Sequence, residues 1–199
     1  MTTFTNTTFS LVFAALTLGA GAASASTINF DDVHQGTLNG SNYHGLSWTN
    51  FGVKNGGVPP GTGYDHGTVS APNVAFNGNG DLASFGSATA FGLQDAYFAG
   101  AWNDGLTIHI VGTAGALTYT KDVVVNTGAP VDVVFNWANL TNVSFSSTGG
   151  TPHYGLTGTG TNFAMDNVTV TGVPEPETYG MLLAGLGLIG WMARRRKAA

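Results

Sequence analysis

The sequence GLTIHIVG at residues 105–112 alternates apolar and polar side chains. Leu106, Ile108 and Ile110 share one parity, and smaller or polar residues fill the positions between them. Successive side chains of a β-strand point to opposite faces, so this pattern indicates a strand with one buried and one polar face. The segment VDVVF at residues 131–135 repeats the alternation and predicts a second strand of the same kind.

The same strand pattern extends over the body of the chain. Short runs rich in Val, Phe, Tyr, Ile and Thr are separated by clusters of Gly, Asn, Asp and Pro, which are typical of turns. Asn103-Asp104-Gly105 predicts a tight turn between two strands. We expect strands near residues 27–31, 43–53, 73–77, 90–100, 105–112, 115–125, 131–136, 140–146 and 162–171.

This spacing of short strands, with no predicted helix in the body, indicates an all-β fold. We expect a single two-sheet antiparallel sandwich, jelly-roll-like, over residues 26–172. That length is enough for one domain with one hydrophobic core.

The C-terminal residues 173–199 carry three elements in order. The tripeptide Pro174-Glu175-Pro176 precedes an uncharged apolar run at 179–193, and the basic cluster Arg194-Arg195-Arg196-Lys197 follows it. As a helix, the apolar run spans only about 22 Å, whereas a bilayer core is about 30 Å thick. Snorkelling or local thinning would let it act as a transmembrane helix, and the basic cluster should stay cytoplasmic.

This order of elements resembles the PEP-CTERM sorting signal of Gram-negative bacteria that secrete exopolysaccharide. The resemblance covers residues 173–197. It implies that an exosortase recognises the tail in the inner membrane, cleaves near the PEP motif and sends the body to the cell surface or extracellular matrix. The same tail occurs on some ice-binding proteins, so it predicts a destination and no ligand. An ordinary permanent anchor is the alternative interpretation.

The N-terminal residues 1–25 have the pattern of a signal peptide. An apolar segment at 11–23 is followed by Ala23-Ser24-Ala25, which fits an A-x-A cleavage site, so we expect the mature chain to begin at Ser26. The first ten residues contain no Lys or Arg, which leaves an uncleaved anchor as the alternative.

Charge and composition exclude several classes of function. Residues 26–172 contain nine Asp, no Glu and two Lys, so their formal charge is 2 − 9 = −7. Such a surface should repel nucleic acid and anionic lipid. The chain has no cysteine, which excludes disulfides and thiol chemistry. No G-x-S-x-G or H-E-x-x-H motif occurs, so a glycosidase would need two aspartates brought together by the fold.

The body also resembles the uncharacterised β-sandwich domains of PEP-CTERM proteins and, more loosely, carbohydrate-binding jelly rolls. This resemblance implies the architecture better than it implies any chemistry. The matching pieces are Ile28-Asn29-Phe30-Asp31-Asp32, Tyr43-His44-Gly45-Leu46-Ser47-Trp48, Asn73-Val74-Ala75-Phe76-Asn77, Ala101-Trp102-Asn103-Asp104-Gly105 and Phe163-Ala164-Met165-Asp166-Asn167-Val168.

Two loops contain the candidate sugar-binding residues. Tyr64-Asp65-His66 lies in the Gly- and Pro-rich loop 54–72, and His153-Tyr154 lies in the loop 146–161, where exposed functional groups are common. Aromatic rings can stack on sugars while Asp and His bind hydroxyls; turns with incidental polar residues are the alternative. The tryptophans within apolar runs are expected in the core: Trp48, Trp102 and Trp137.

The last strand predicts an irregularity at its acidic residue. Phe163 and Met165 share one parity, but Val168 and Val170 share the other, so a bulge or turn at Asp166-Asn167 is needed to bury all four.

The acidic residues of the two terminal strands form a candidate calcium site. If the first and last strands are neighbours, Asp31 or Asp32 could meet Asp166 and backbone carbonyls around one Ca²⁺, which takes six to eight oxygen ligands. Strand-end carboxylates hydrogen-bonded to backbone are the alternative.

These patterns predict an exported protein of the extracellular matrix, associated with exopolysaccharide, whose β-sandwich is structural or glycan-binding and not an enzyme. A polysaccharide hydrolase is the first alternative and would need paired carboxylates in a cleft. An ice-binding protein is the second, for which Thr157, Thr159 and Thr161 supply one short row.

The tail yields a direct test of sorting. Replacing Pro174-Glu175-Pro176 by three alanines leaves the apolar run and the basic cluster unchanged, so membrane insertion should persist. The body should then stay at the inner membrane with its tail attached, as followed by fractionation and immunoblotting. Processing and release at the wild-type level would favour a plain anchor instead.

Overall fold

The computed structural model describes residues 25–172, 185–189 and Arg194. The predicted signal peptide apart from Ala25, the PEP tripeptide and most of the apolar run therefore lie outside the described residues. Among the residues described, no helix has the length and hydropathy that crossing a membrane requires.

The described body consists of strands with one short α-helix and one 3₁₀ turn, Gly78–Gly80. The strands and helix are β1 Ala25–Ile28, β2 Gly36–Thr37, β3 Asn42–Tyr43, β4 Leu46–Thr49, β5 Phe51–Asn55, α1 Gly63–His66, β6 Asn73–Asn77, β7 Ala83–Gly100, β8 Asn103–Ala114, β9 Leu117–Val125, β10 Val131–Pro152 and β11 Phe163–Thr171.

All strand pairs are antiparallel and belong to one sheet of 11 strands, with the order β2-β5-β6-β11-β7-β10-β8-β9. β1 pairs with β11, and β4 joins β3 to β7. The all-β prediction is confirmed, but the expected division into two separate sheets is wrong. β10, at 22 residues, is long enough to pair with β7 through one part of its length and with β8 through another.

The sheet curls over on itself and encloses one core. Phe51 on β5 and Phe145 on β10 lie four positions apart in the strand order, which in a flat sheet would separate them by roughly 19 Å. Their ring centroids are only 5.7 Å apart. The two parts of the sheet therefore face each other across a layer of side chains.

Aromatic rings fill this layer. Phe145 also contacts Phe85, Phe98 and Phe163, with centroids 5.5 to 6.0 Å apart. The alternating pattern of β8 directs every second side chain into the core, and Leu106, Ile108 and Ile110 are all fully buried, as predicted. The core is extended by further buried aromatic residues: Phe30, Trp48, Phe91, Phe135 and Trp137.

Asparagines with positive φ decide where strands bend or break. Asn136 and Asn139 adopt φ of 52° and 58° inside β10, where the pairing with β7 shifts register. The chain continues as a strand through these irregular positions, so the predicted strands 131–136 and 140–146 are parts of the single strand β10. Conversely, positive φ at His44 and Asn50 divides the predicted strand 43–53 into three. Asn is among the few residues other than Gly that tolerate this conformation.

The predicted irregularity in β11 is confirmed. Asn167 has φ of 46°, and the register with β7 shifts between Asp166 and Thr169. All four apolar residues named for this strand, Phe163, Met165, Val168 and Val170, are buried as a result.

The tight turn predicted at Asn103-Asp104-Gly105 is wrong. The chain reverses at Ala101-Trp102, and these three residues begin β8, where Gly105 adopts φ of 69°. The glycine is therefore an irregularity within a strand and does not mark the turn.

Helix α1 packs on the outer surface of the sheet. A Cβ at Gly63 would lie 1.7 Å from the Gly100 carbonyl oxygen, and one at Gly67 would lie 2.9 Å from Ala99 Cβ. Only glycine at these two positions, in α1 and directly after it, facing small residues on β7 and β11, permits this approach. The helix thereby fixes the loop 56–72 against the sheet.

The aromatic layer predicts the energetic centre of the fold. Phe145 is 1% exposed and contacts rings from β5, β7 and β11. Phe145→Ala in the full chain should lower the free energy of unfolding by about 3–5 kcal/mol. Val124→Ala, at a residue 61% exposed, is the control and should change it by no more than about 0.5 kcal/mol. Urea unfolding followed by tryptophan fluorescence measures both, and equal effects would contradict the assignment.

Candidate functional site

The two loops predicted separately from sequence meet at Trp102, in the reversal between β7 and β8. The partly buried indole makes an edge contact with the Tyr64 ring at 5.5 Å. On another side it packs against Gly158, where a Cβ would lie 2.4 Å from Trp102 Cε3. Trp102 was expected in the main core; instead it joins a smaller cluster on the outer surface of the sheet.

Asp104 connects the loops by hydrogen bonds. Its Oδ2 contacts His153 Nδ1 at 2.5 Å, and its Oδ1 accepts bonds from the backbone N–H and hydroxyl of Thr127, both at 2.8 Å. His66 Nδ1 in turn donates to the Thr127 carbonyl at 2.9 Å. The backbone N–H of Thr127, followed by His153, holds the pKa of Asp104 below its ordinary value. Sequence reasoning missed Asp104 as a site residue because it was placed in a turn.

The five predicted sugar-binding residues differ in accessibility. Tyr154 is 98% exposed, His66 is exposed, and Asp65 and His153 are partly buried. The expectation of an exposed ring at Tyr64 is wrong: its side chain is 4% exposed because α1 presses it against the sheet. Burial raises the pKa of Tyr64 to about 12.

Asp65 supports its own loop. Its Oδ2 accepts a hydrogen bond from the backbone N–H of Gly61 at 2.8 Å. This bond spans four residues and closes the turn that leads into α1. The local geometry thus explains Asp65 without a ligand.

A groove of about 330 Å³ lies on the outer surface near the same cluster. Among its lining residues, Gly52 pairs with Thr37 on one side and Phe76 on the other. Lys54 on β5 and Asn50, the residue before β5, also line the groove. The sequence signal that could have indicated this groove is a glycine within a strand, which often marks a site where a ligand or another part of the chain approaches the backbone closely.

Asp166 is buried beneath the loop that follows α1. Its Oδ2 accepts hydrogen bonds from the backbone N–H groups of Val69 at 2.7 Å and Ser70 at 2.9 Å, and its Oδ1 accepts one from Asn167 at 2.7 Å. Burial is the largest effect on this carboxyl and raises its pKa to about 6, while the backbone donors act in the opposite direction.

The other two predicted calcium ligands lie near the ends of neighbouring strands but bind different groups. β1 pairs with β11, as the calcium hypothesis required. Asp31 Oδ1 accepts from the Asn73 backbone N–H at 2.9 Å, whereas exposed Asp32 accepts from the Tyr43 hydroxyl and contacts His44. The Tyr43 bond lowers the pKa of Asp32.

Within the described residues, no group of three or more His, Asp or Glu side chains has an arrangement suited to a metal ion. The calcium site at Asp31, Asp32 and Asp166 stays a prediction. The sorting residues Pro174, Glu175, Pro176, Arg195 and Arg196 lie outside the described residues, and Arg194 is exposed.

The raised pKa of Asp166 predicts a pH dependence of stability. Below about pH 4 the folded and unfolded states both hold this proton, and between pH 4 and 6 only the folded state retains it. The contribution of the Asp166 proton to the free energy of unfolding is therefore present at low pH and is lost as pH rises through about 6. A shift from 3.8 to about 6 corresponds to about 3 kcal/mol.

We therefore expect the free energy of unfolding of the wild type to fall relative to that of Asp166→Asn between pH 4 and 7. Urea unfolding of the full chain in detergent micelles at a series of pH values measures the difference, which cancels the other titrating groups. Parallel curves for the two proteins would contradict the raised pKa.

Comparisons with known proteins locate one family feature in the chain. A search of curated proteins gives no match. The structure is similar to the crystal structure of a DUF4465 family protein from Bacteroides ovatus ATCC 8483, with 10% identity over 75% of this chain and 99% of that one and a TM-score of 0.49. It is also similar to TmCBM61 in complex with β-1,4-galactotriose, with 8% identity over 69% and 98% of the two chains and a TM-score of 0.35.

Both TM-scores are below 0.5, so neither similarity supports an inference about ligand or function. The C-terminal tail does support an inference, because residues 172–197 match the family model of the PEP-CTERM protein-sorting motif. The chain thus carries a PEP-CTERM sorting motif, which indicates an exported, exosortase-processed protein.

Proposed function

We propose that this protein is a non-catalytic glycan-binding component of the cell surface or extracellular matrix, associated with exopolysaccharide. The observation that carries the proposal is the meeting of two loops at Trp102 with the ring of Tyr154 98% exposed beside His153. The surface formed by Trp102, Asp104, His153 and Tyr154 is called the loop surface below.

A fully exposed aromatic ring on a fixed loop is suited to stacking on the apolar face of a sugar. Tyr154 and Trp102 supply aromatic surface. Trp102 packs against Tyr64 and Gly158, so its ring is already held in place and loses little entropy on binding. His153, which Asp104 contacts through Nδ1, lies at the base of this loop and provides a hydrogen-bonding group for hydroxyls.

The contacts of Asp104 favour binding over catalysis. A glycosidase needs two carboxyl groups, about 5 to 9.5 Å apart, free to exchange protons with a substrate. Both oxygens of Asp104 are engaged, one by Thr127 and one by His153, so the carboxylate holds the loops in position. The segment 153–162 is not a strand, so Thr157, Thr159 and Thr161 form no regular sheet row of the kind an ice-binding surface would use.

The proposed route to the surface combines both ends of the chain. The signal peptide directs export, the apolar run at 179–193 holds the precursor in the inner membrane, and an exosortase processes the tail. Exopolysaccharide outside the cell is then the available glycan.

A glycan array probed with the full chain in detergent micelles, with and without Ca²⁺, tests the proposal. Tyr154→Ala should weaken binding about tenfold, since lost stacking of about 1.4 kcal/mol corresponds to that factor. Tyr154→Phe keeps the ring and should bind within roughly twofold of wild type. Leu117→Ala, at an exposed residue outside both loops, is the control.

Absence of binding to every neutral and acidic glycan would overturn the proposed function. Equal binding by Tyr154→Ala and wild type would exclude the loop surface. A requirement for Ca²⁺ that Asp166→Ala removes would support the calcium prediction at the same time.

A further inference from the structure

The groove on the outer surface is shaped by one missing side chain. Gly52 lies between Thr37 on β2 and Phe76 on β6 in the same cross-strand row. A Cβ at residue 52 would lie 2.6 Å from Phe76 Cζ, so the end of the aromatic ring covers the glycine. The groove therefore has an aromatic wall at Phe76, and Thr37, whose hydroxyl accepts a bond from the Asn39 backbone N–H at 3.0 Å, lines it on the other side of Gly52.

Polar groups lie around this aromatic wall. Asn39 and Asn50 contribute amides to the lining, and Asn39 Oδ1 accepts a bond from the Asn50 backbone N–H at 3.4 Å. Two further hydrogen bonds, from Asn50 Nδ2 to the carbonyls of Gly78 and Leu82, fix this end of the groove. A ring with an apolar face and several hydroxyls matches such a lining.

Lys54 gives the groove a positive charge. Its Nζ lies 4.0 Å from the centroid of the Tyr64 ring, which holds the side chain in place. Every contact of ion-pair type seen within residues 25–172 joins a histidine to an aspartate, so the ammonium group has no carboxylate partner there. Partial burial lowers the pKa of Lys54, and an anionic ligand would offset that desolvation.

We propose that this groove binds a sugar residue carrying a carboxylate, with the carboxylate at Lys54, the ring against Phe76 and hydroxyls at Thr37, Asn39 and Asn50. The inference rests on the proposed function for the ligand class but concerns a site separate from the loop surface.

The acidic character of the domain sets the selectivity of this site. The nine aspartates should weaken binding of densely charged polyanions. At physiological ionic strength the Debye length is about 8 Å, so distant aspartates are screened while a direct pair with Lys54 is not. The site therefore favours single uronate residues within short or largely neutral glycans.

Trigalacturonate and its fully methyl-esterified form are the probes, since they share one sugar backbone and the ester replaces each charged carboxylate by a neutral methyl ester. Each is titrated into the full chain in detergent micelles by calorimetry and by NMR of the amides of Gly36 and Gly52. Trigalacturonate should shift these two amides and bind about tenfold more tightly than the ester, the difference of one charge-assisted contact.

Lysine variants assign the charge. Lys54→Met should reduce trigalacturonate affinity to that of the ester, and Lys54→Arg should retain it. Lys121→Met is the matched control, because Lys121 is the other lysine of the body and also lies over an aromatic ring, 5.8 Å from the Phe135 centroid. It should bind like wild type, and thermal unfolding of each variant confirms that it is folded.

Three results would overturn the inference: no shift at Gly36 and Gly52, equal affinity for acid and ester, or unchanged affinity in Lys54→Met. Each of these results would overturn the proposed groove site regardless of how Tyr154→Ala behaves on the glycan array. Conversely, a Lys54-dependent titration together with an array that is insensitive to Tyr154→Ala would leave the groove in place and exclude only the loop surface.

Discussion

The packing of Phe145 against rings from β5, β7 and β11 is the contact on which the architecture depends. A single sheet of 11 strands has no stable core while it is open, because a sheet needs a second layer to cover its apolar face. Here the second layer is the other part of the same sheet. With no cysteine to crosslink them, the two parts are held together by aromatic and aliphatic packing. Closing contacts continue at the far edge, where Tyr119 on β9 stacks on Trp137 on β10 at 5.4 Å.

Small residues on the outer surface determine where a site can form. Gly100, Ala99 and Ala164 leave room for α1 to lie directly on the backbone of β7 and β11. Asp166 then fixes the loop after α1 through the backbone of Val69 and Ser70, despite the free-energy cost of burying a carboxyl there. The same placement brings Tyr64 between Lys54 and Trp102, so one buried ring supports both the groove and the loop surface.

Local patterns in the sequence predicted what depends on neighbouring residues, and they missed what depends on distant ones. Alternation identified the buried face of β8, and the change of parity identified the bulge at Asp166-Asn167, because both follow from a period of two. The joining of two predicted strands into β10 required positive φ at Asn136, which pattern alone does not reveal. Candidate residues in the two loops were found as exposed-loop aromatics, but the burial of Tyr64 depends on contacts with Trp102 and Phe76 from elsewhere in the chain.

The course of β11 relates the proposed glycan surface to the sorting tail. Phe163 pairs with Gly100, next to the reversal that carries Trp102, and Thr171 pairs with Gly92 near the other end of the sheet. Eight residue steps of about 3.3 Å separate the two ends by roughly 26 Å. Since the sorting motif begins at residue 172, the tail leaves the domain at the end opposite to Trp102. The loop surface and the first residue of the sorting motif therefore lie near opposite ends of β11, so the proposed glycan binding and the processing of the tail involve different parts of the chain.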